Sequence, residues 1–421
     1  MSLSTSFRRG LLLAGGVALL FAAATPMSAQ QPPAPPAPPP GFSPLDKSKP
    51  AESKQDGNLR PHPTPPIAAA PDKLPVDKIK LPAGFKAEVW SSGHPGARTL
   101  VQGTKGTVFM GTRVIGRVYA ITEKDGKREV KVLLQGLTQP NGLAFKDGAL
   151  YVFAINKVFR YDNIEDKLDN PGDGVELTAA YGLPDTVHHN WKYVDFGPDG
   201  KMYVQVGANC NICELNPGIH AQIRRYNADG TGMEVVARGV RNTVGFDWHP
   251  VTKELWFTDN GRDWAGDAGP QDELNRIAKN AEGANYGFPY CHANGIPDPD
   301  VRMPNPCGGV VMPAALLGPH AGALGIKFYT GSMFPKEYQN AAFVVRRGSW
   351  NRSQKFGYDV AIAKTAGGKA KLQPFLTGLL DEQGNTFHGR PTYVLQMQDG
   401  SLLVSDEQNG ANYRISYSGK R

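Results

Sequence analysis

Long apolar runs are nearly absent from this chain of 421 residues. The exception is GLLLAGGVALLFAAA at residues 10–24, and its fifteen residues fall short of the roughly 20 that a membrane span needs. Arg8 and Arg9 precede it, and MSAQ follows with Ala29 as a small-residue exit. The sequence therefore predicts a secretory signal over residues 1–29 and no transmembrane helix once it is cleaved. The twin arginine before Gly-Leu-Leu suits the twin-arginine route as well as the general secretory one. Clustered positive charge is missing too. The formal charge is +7, yet no run of five Lys or Arg occurs, which speaks against nucleic acid and leaves a small acidic ligand open. Cysteine is sparse, at four residues. Covalent haem is excluded at CNIC, because Glu214 stands where a histidine would be needed. Long helical periodicity is absent as well.

What the chain has instead is glycine (49) and proline (35), a balance that favours short strands and turns. Residues 30–78 are proline-rich and poor in aliphatics, and are expected to form an extended, disordered linker. In an oxidising compartment the four cysteines are expected as two disulfides, Cys210–Cys213 and Cys291–Cys307, in preference to a four-cysteine zinc site.

Beyond residue 79 one phrase recurs, a turn followed by an alternating apolar strand. It reads GTVFMGT from Gly106, GALYVFA from Gly148, GKMYVQV from Gly200, KELWFTD from Lys253, NAAFVVR from Asn340 and GSLLVSD from Gly400. The spacings are 42, 52, 53, 87 and 60 residues. This is the pitch of β-propeller blades. The sequence thus predicts an all-β fold over residues 79–421, a six-bladed propeller of four-stranded antiparallel blades. A long insertion near residues 260–310 accounts for the 87-residue gap, and ANYRISY is expected to close the ring beside the first blade.

A propeller binds its ligands over the central channel, on loops at strand edges. His189 lies eight residues before Gly197 of the GPDG turn and can point to the axis from the loop leading into the third blade. Arg241 and Asn242 precede the strand TVGFDWHP and can hold an anionic ligand or cap a turn. FTDNGRDWAGDAGPQDELN, residues 257–275, can offer oxygens to a hard cation such as calcium, or form an acidic surface loop. RRGSWNRS contributes Arg346, Arg347 and Arg352 with Trp350, and Arg390 precedes the last main strand.

These stretches, together with ANYGFPYC and the C-terminal GRPTYVLQMQDGSLLVSDEQNGANYRISY, resemble the soluble quinoprotein dehydrogenases of the glucose/sorbosone type. Those are six-bladed propellers that use pyrroloquinoline quinone (PQQ) and calcium (Ca2+). GSWNRS with NGRD and CNIC is nearer the sorbosone-dehydrogenase-like branch. The resemblance implies that His189 is the catalytic base and that Arg241 and Asn242 contact the quinone, with Arg241 stabilising charge on it. It implies backbone carbonyls of Gly261 and Arg262 as calcium ligands, and Arg352 and Arg390 as partners of the cofactor carboxylates. No role is implied for His188, which reads as a solvated neighbour. The expected function is oxidation of an aldose or sugar aldehyde, sorbosone-like, by hydride transfer to PQQ in the periplasm or outside the cell. A separate electron acceptor, a cytochrome or the quinone pool, is then required, because no CxxCH follows the propeller. The alternatives are a non-catalytic binding propeller and a calcium-dependent lactonase-type hydrolase. The number of arginines argues against the hydrolase.

Overall fold

The computed structural model describes residues 66–186 and 188–419. Six antiparallel sheets form the blades of a propeller. Blade 1 is Leu100–Gln102, Val108–Met110, Arg117–Lys124 and Lys127–Gln135; blade 2 is Gly142–Lys146, Ala149–Ala154, Lys157–Tyr161 and Val175–Glu176. Blade 3 is Val194–Phe196, Met202–Val206, Gln222–Tyr226 and Glu234–Arg238; blade 4 is Phe246–Trp248, Leu255–Asp259, Gln271–Ile277 and Ala315–Pro319. Blade 5 is Ala323–Phe328, Ala342–Arg346, Asp359–Ala366 and Lys369–Leu376. Blade 6 is Pro391–Gln396, Leu402–Asp406, Ala411–Tyr417 and, from the other end of the chain, Phe85–Ser92.

Each repeated phrase of the sequence is the second strand of a blade. Such a strand has a strand on either side and a blade over each face, so it is apolar along its length. In blades 1, 2, 3, 4 and 6 it is buried throughout. The outermost strand Lys127–Gln135 lacks that cover and is mostly exposed or half-buried. The turns feeding these strands use the left-handed backbone that Asp-Gly accepts, as at Asp147 (φ 51°) and Gly148 (φ 79°).

Three expectations are refined. ANYRISY does not end the ring. It is the third strand of blade 6, and the earlier strand Phe85–Ser92 pairs with it to complete that blade. The long gap holds no seventh blade among the described residues. It is an insertion after Gln271–Ile277, in which Cys291–His292 pairs with Ile296–Pro297 and Ala284–Asn285 adds a parallel fifth strand to blade 3. The linker boundary also moves. Residues 66–78, expected in the tether, contain the 3-10 turns Pro71–Lys73 and Pro75–Lys78 and bury Leu74 in the apolar core of blades 5 and 6. Apolar Leu74, Val76 and Ile79 between prolines are the local cause. The expected signal at 1–29 and the expected linker as far as residue 65 lie outside the described residues.

Candidate active site

One end of the propeller carries two kinds of connection, the loop leading into each innermost strand and the loop joining second to third strands. Together they wall a cavity of about 640 Å³, measured out to its open mouth. The loops into the innermost strands bring Arg98 (blade 1), His189 and Trp191 (blade 3), Arg241 and Asn242 (blade 4), and His320 and Gly322 (blade 5). The second-to-third-strand loops bring Arg113 (blade 1), Asn260, Gly261 and Asp263 (blade 4), and Arg347, Gly348 and Trp350 (blade 5). Residues nearly 250 positions apart thus share one wall because of their equivalent places in the repeat.

His189 is buried and adopts a left-handed backbone, φ 48°. Gln205 Nε2 donates to its carbonyl at 2.7 Å, and Gly207 passes so close that a Cβ there would lie 2.2 Å from the same oxygen. Its Nδ1 lies 3.1 Å from the Ala208 carbonyl. A carbonyl only accepts, so Nδ1 carries the proton and Nε2 keeps the lone pair. Burial, helped by the positive charge of Arg241, holds the imidazole pKa well below 6.5, so the ring is neutral. His188 is not a solvated neighbour: it packs edge-on to His189 with ring centroids 4.1 Å apart, and burial lowers its pKa to about 4.

Arg241 is fixed on three sides. Its Nε donates to Asn211 O (2.9 Å), Nη1 to Asn260 O (3.1 Å), and Nη2 to Asn211 Oδ1 (2.8 Å) and Asp263 Oδ2 (3.1 Å). Asp259, at the end of the second strand of blade 4, accepts the backbone N–H groups of Arg241 and Asn242. Opposite them Glu407 bridges two arginines, with Oε1 2.9 Å from Arg98 Nη1 and Oε2 2.7 Å from Arg347 Nε. Burial alone would raise the Glu407 pKa, but Arg347, Arg98 and Arg113 overcome it and hold the carboxylate far below its usual range. Arg113 lies over the Trp191 ring at 3.7 Å, and burial with Arg98 nearby lowers its pKa to about 9. Arg113 Nε and Asn242 Oδ1 are buried without a hydrogen-bond partner in the protein. Four arginines around one cavity, with polar atoms left over, make a receptor for a multiply charged anion.

The structure thus brings together His189, Arg241, Asn242 and Gly261. Two expected site residues, Arg352 and Arg390, lie elsewhere. Arg262, expected to act through its backbone carbonyl, directly follows Gly261, and its side chain is fully buried in an ion pair with Asp298 and Asp300. Arg352 is turned outward, donating to Gln354 O (2.9 Å) and Asp267 O (2.6 Å). Arg390 stands behind the wall over Phe387 and Tyr358, and burial beside Arg347 lowers its pKa to about 10. Sequence reasoning missed Arg98, Arg113 and Glu407. Aligning the blades would have pointed to two of them: Arg98 just precedes an innermost strand, as Arg241 does, and Glu407 follows a second strand ending in Asp, as Asn260 does. Among the described residues no three His, Cys, Asp or Glu side chains gather as a metal cluster.

A family model described as TrAA12-like matches residues 79–377. The chain belongs to the TrAA12-like family. Within the range of that match lie His189, Arg241, Asn242 and Gly261, while Arg390 and Glu407 lie beyond it. A Borreliella burgdorferi chain described only as an uncharacterized protein is 30% identical over 355 residues, covering 80% of this chain and 91% of that one. A Trichoderma reesei structure from Carbohydrate-Active Enzymes family AA12 superposes with TM-score 0.68 at 18% identity, over 84% of this chain and 98% of the other. The PQQ domain of a pyranose dehydrogenase from Coprinopsis cinerea gives 0.65 at 19%, over 80% and 97%. The PQQ-bound aldose sugar dehydrogenase of Streptomyces coelicolor gives 0.55 at 18%, over 80% and 100%. At these identities the likeness to solved structures is one of fold. For this TrAA12-like chain the sorbosone-like branch becomes a question of substrate.

Proposed function

We propose that this chain is a quinoprotein sugar oxidoreductase that oxidises an aldose or sugar aldehyde, sorbosone among the candidates, with PQQ and calcium. The observation that carries the reading is a neutral, backbone-anchored histidine on the wall of a cavity lined by four arginines. When bound, PQQ supplies a two-electron, hydride-accepting quinone on a frame bearing three carboxylates. Arg98, Arg113, Arg241 and Arg347 would hold those carboxylates by charge-assisted hydrogen bonds, and Asn242 Oδ1 and Arg113 Nε are buried atoms awaiting a partner. His189 takes the hydroxyl proton of the sugar, or of an aldehyde hydrate, on Nε2 while the Ala208 carbonyl keeps Nδ1 protonated. Arg241, held by Asn211, Asn260 and Asp263, is preorganised to stabilise negative charge. Trp350, at the rim and edge-on to Trp264, offers an apolar face to the sugar ring. Calcium would depend on the backbone carbonyls of Gly261, on the cavity wall, and of Arg262, the residue after it. Arg352 is unsuited to the cofactor, and Arg390 acts on it only at a distance.

The two disulfides, Cys210–Cys213 and Cys291–Cys307, support a periplasmic or secreted setting. A separate cytochrome or quinone pool would take the electrons. The test is reconstitution: cofactor-free protein is titrated with PQQ and calcium, and the bound quinone's absorbance is followed as aldoses and sorbosone are added. Bleaching in the wild type and not in His189→Ala is the expected result. Failure to bind the quinone overturns the reading.

A further inference from the structure

The second-to-third-strand loop of blade 3, residues 207–221, touches both halves of the chemistry. Ala208 accepts His189 Nδ1 through its carbonyl and donates its own N–H to the Arg241 carbonyl at 2.8 Å. Three residues on, Asn211 faces the Arg241 side chain. Its backbone oxygen takes Nε and its Oδ1 takes Nη2, while the same Oδ1 accepts Asp263 N–H (2.8 Å) and Nδ2 donates to Asp263 O (3.2 Å). Asn211 is buried, although it lies in an irregular loop. The disulfide joining Cys210 to Cys213 spans it, and the half-buried Cys210, Ile212 and Leu215 pack against Ala208, Ala221 and Phe288.

We propose that Asn211 is a positioning residue for Arg241, and that the Cys210–Cys213 disulfide keeps it in place. An unrestrained arginine side chain samples many rotamers, and its value to an anion depends on meeting it already oriented. Asn211 supplies two of the four hydrogen bonds that orient this one, and through Asp263 it sets a third. A three-residue separation between the cysteines leaves the loop little freedom to swing Asn211 away. The CNIC motif, which no haem or thioredoxin-type role absorbs, thereby gains a function at the site.

The ligand named in the test rests on the functional reading above, so two readouts are needed. The first is independent of any ligand. In arginine-labelled, cofactor-free protein, the Arg241 Nη2–H signal, which depends on Asn211 Oδ1, is expected to be protected from solvent exchange in the wild type and in Asn211→Asp, which keeps an oxygen facing Nη2. Protection is expected to fall in Asn211→Ala and partly in the Cys210→Ser/Cys213→Ser pair. The second is PQQ titration with calcium, where Asn211→Ala is expected to weaken binding about tenfold and Asn211→Asp to recover most of that loss. Unchanged Nη2–H protection in Asn211→Ala overturns the proposal, as does a change in thermal stability alone. If the wild type takes up no quinone, the functional reading fails while the exchange experiment still decides the role of Asn211. Should Asn211→Ala not fold, the double serine variant carries both measurements.

Discussion

Blades 2 and 4 obey the same four-strand plan, and at the cavity they part at the connection from second to third strand. In blade 2 the second and third strands are joined by Ile155 and Asn156 alone, a tight turn with Ile155 at φ 54°. In blade 4 the same join runs from Asn260 to Pro270 and supplies Asn260, Gly261 and Asp263 to the cavity, while blade 2 supplies no wall residue. Blade 2 serves only as support, through Asn141, whose Oδ1 accepts Arg98 Nε at 2.7 Å. Strands set the ring and the length of one connection sets the chemistry, a division that lets function vary without disturbing the core.

The sharpest way to break this comparison is to substitute on either side of it. His189→Ala is expected to lower turnover about 10²- to 10⁴-fold with quinone binding retained. Asn156→Ala, in the blade 2 turn, is expected to leave turnover as it is. A comparable loss in both, measured by quinone bleaching, would remove the distinction. Next in size is Glu407→Gln, which leaves the buried Arg98 and the half-buried Arg347 without their carboxylate and is expected to cost about 3 kcal/mol in denaturant unfolding. The Glu407 pKa is depressed in the fold below its ordinary 4.5. Its contribution is therefore present above that pH and is lost as pH falls through the folded value, so the gap between wild type and variant narrows in acid.

Arg113→Met and Arg352→Met sharpen the contrast between wall and periphery. The first removes a buried cation over Trp191 and is expected to weaken PQQ binding roughly 10- to 100-fold. The second removes an outward-facing group and is expected to leave it within error; equal effects would relocate the cofactor. The smallest expected change is in pH dependence. A base works when neutral, so a His189 pKa held well below 6.5 keeps kcat/KM flat through pH 6.5 and moves its acid limb lower. Arg241→Met removes the second cause of that shift and is expected to move the limb part-way back up.

The six second strands were legible because burial on both faces forces a continuous apolar phrase after a turn. His189, Arg241 and Asn242 could be placed at the channel because each lies just ahead of a strand, and Gly261 because the resemblance singles it out within the loop that follows LWFTD. Arg98 and Arg113 were not legible, since SGHPGARTL and GTRVIGRV carry no local sign that their arginines turn inward. Glu407, the partner of Arg98, lies 309 residues from it, and only closing the ring brings the two together. The fate of the Arg262 side chain was not legible either, because Asp298 and Asp300, which capture it, belong to the insertion some 36 residues further on, and only its backbone is left for the role the resemblance implies.

The strand Phe85–Ser92, which completes blade 6, has a consequence for how the site comes into being. Of all the strands in the ring it is made first and placed last, because its partner Ala411–Tyr417 is near the C-terminus. The Arg98–Glu407 contact bridges the same seam, so one segment of the cavity wall is the fastening itself. A growing or nicked chain can hold His189 and Arg241 in sound blades and still have no chamber to offer a cofactor. Competence to bind thus doubles as a report that the circle is whole.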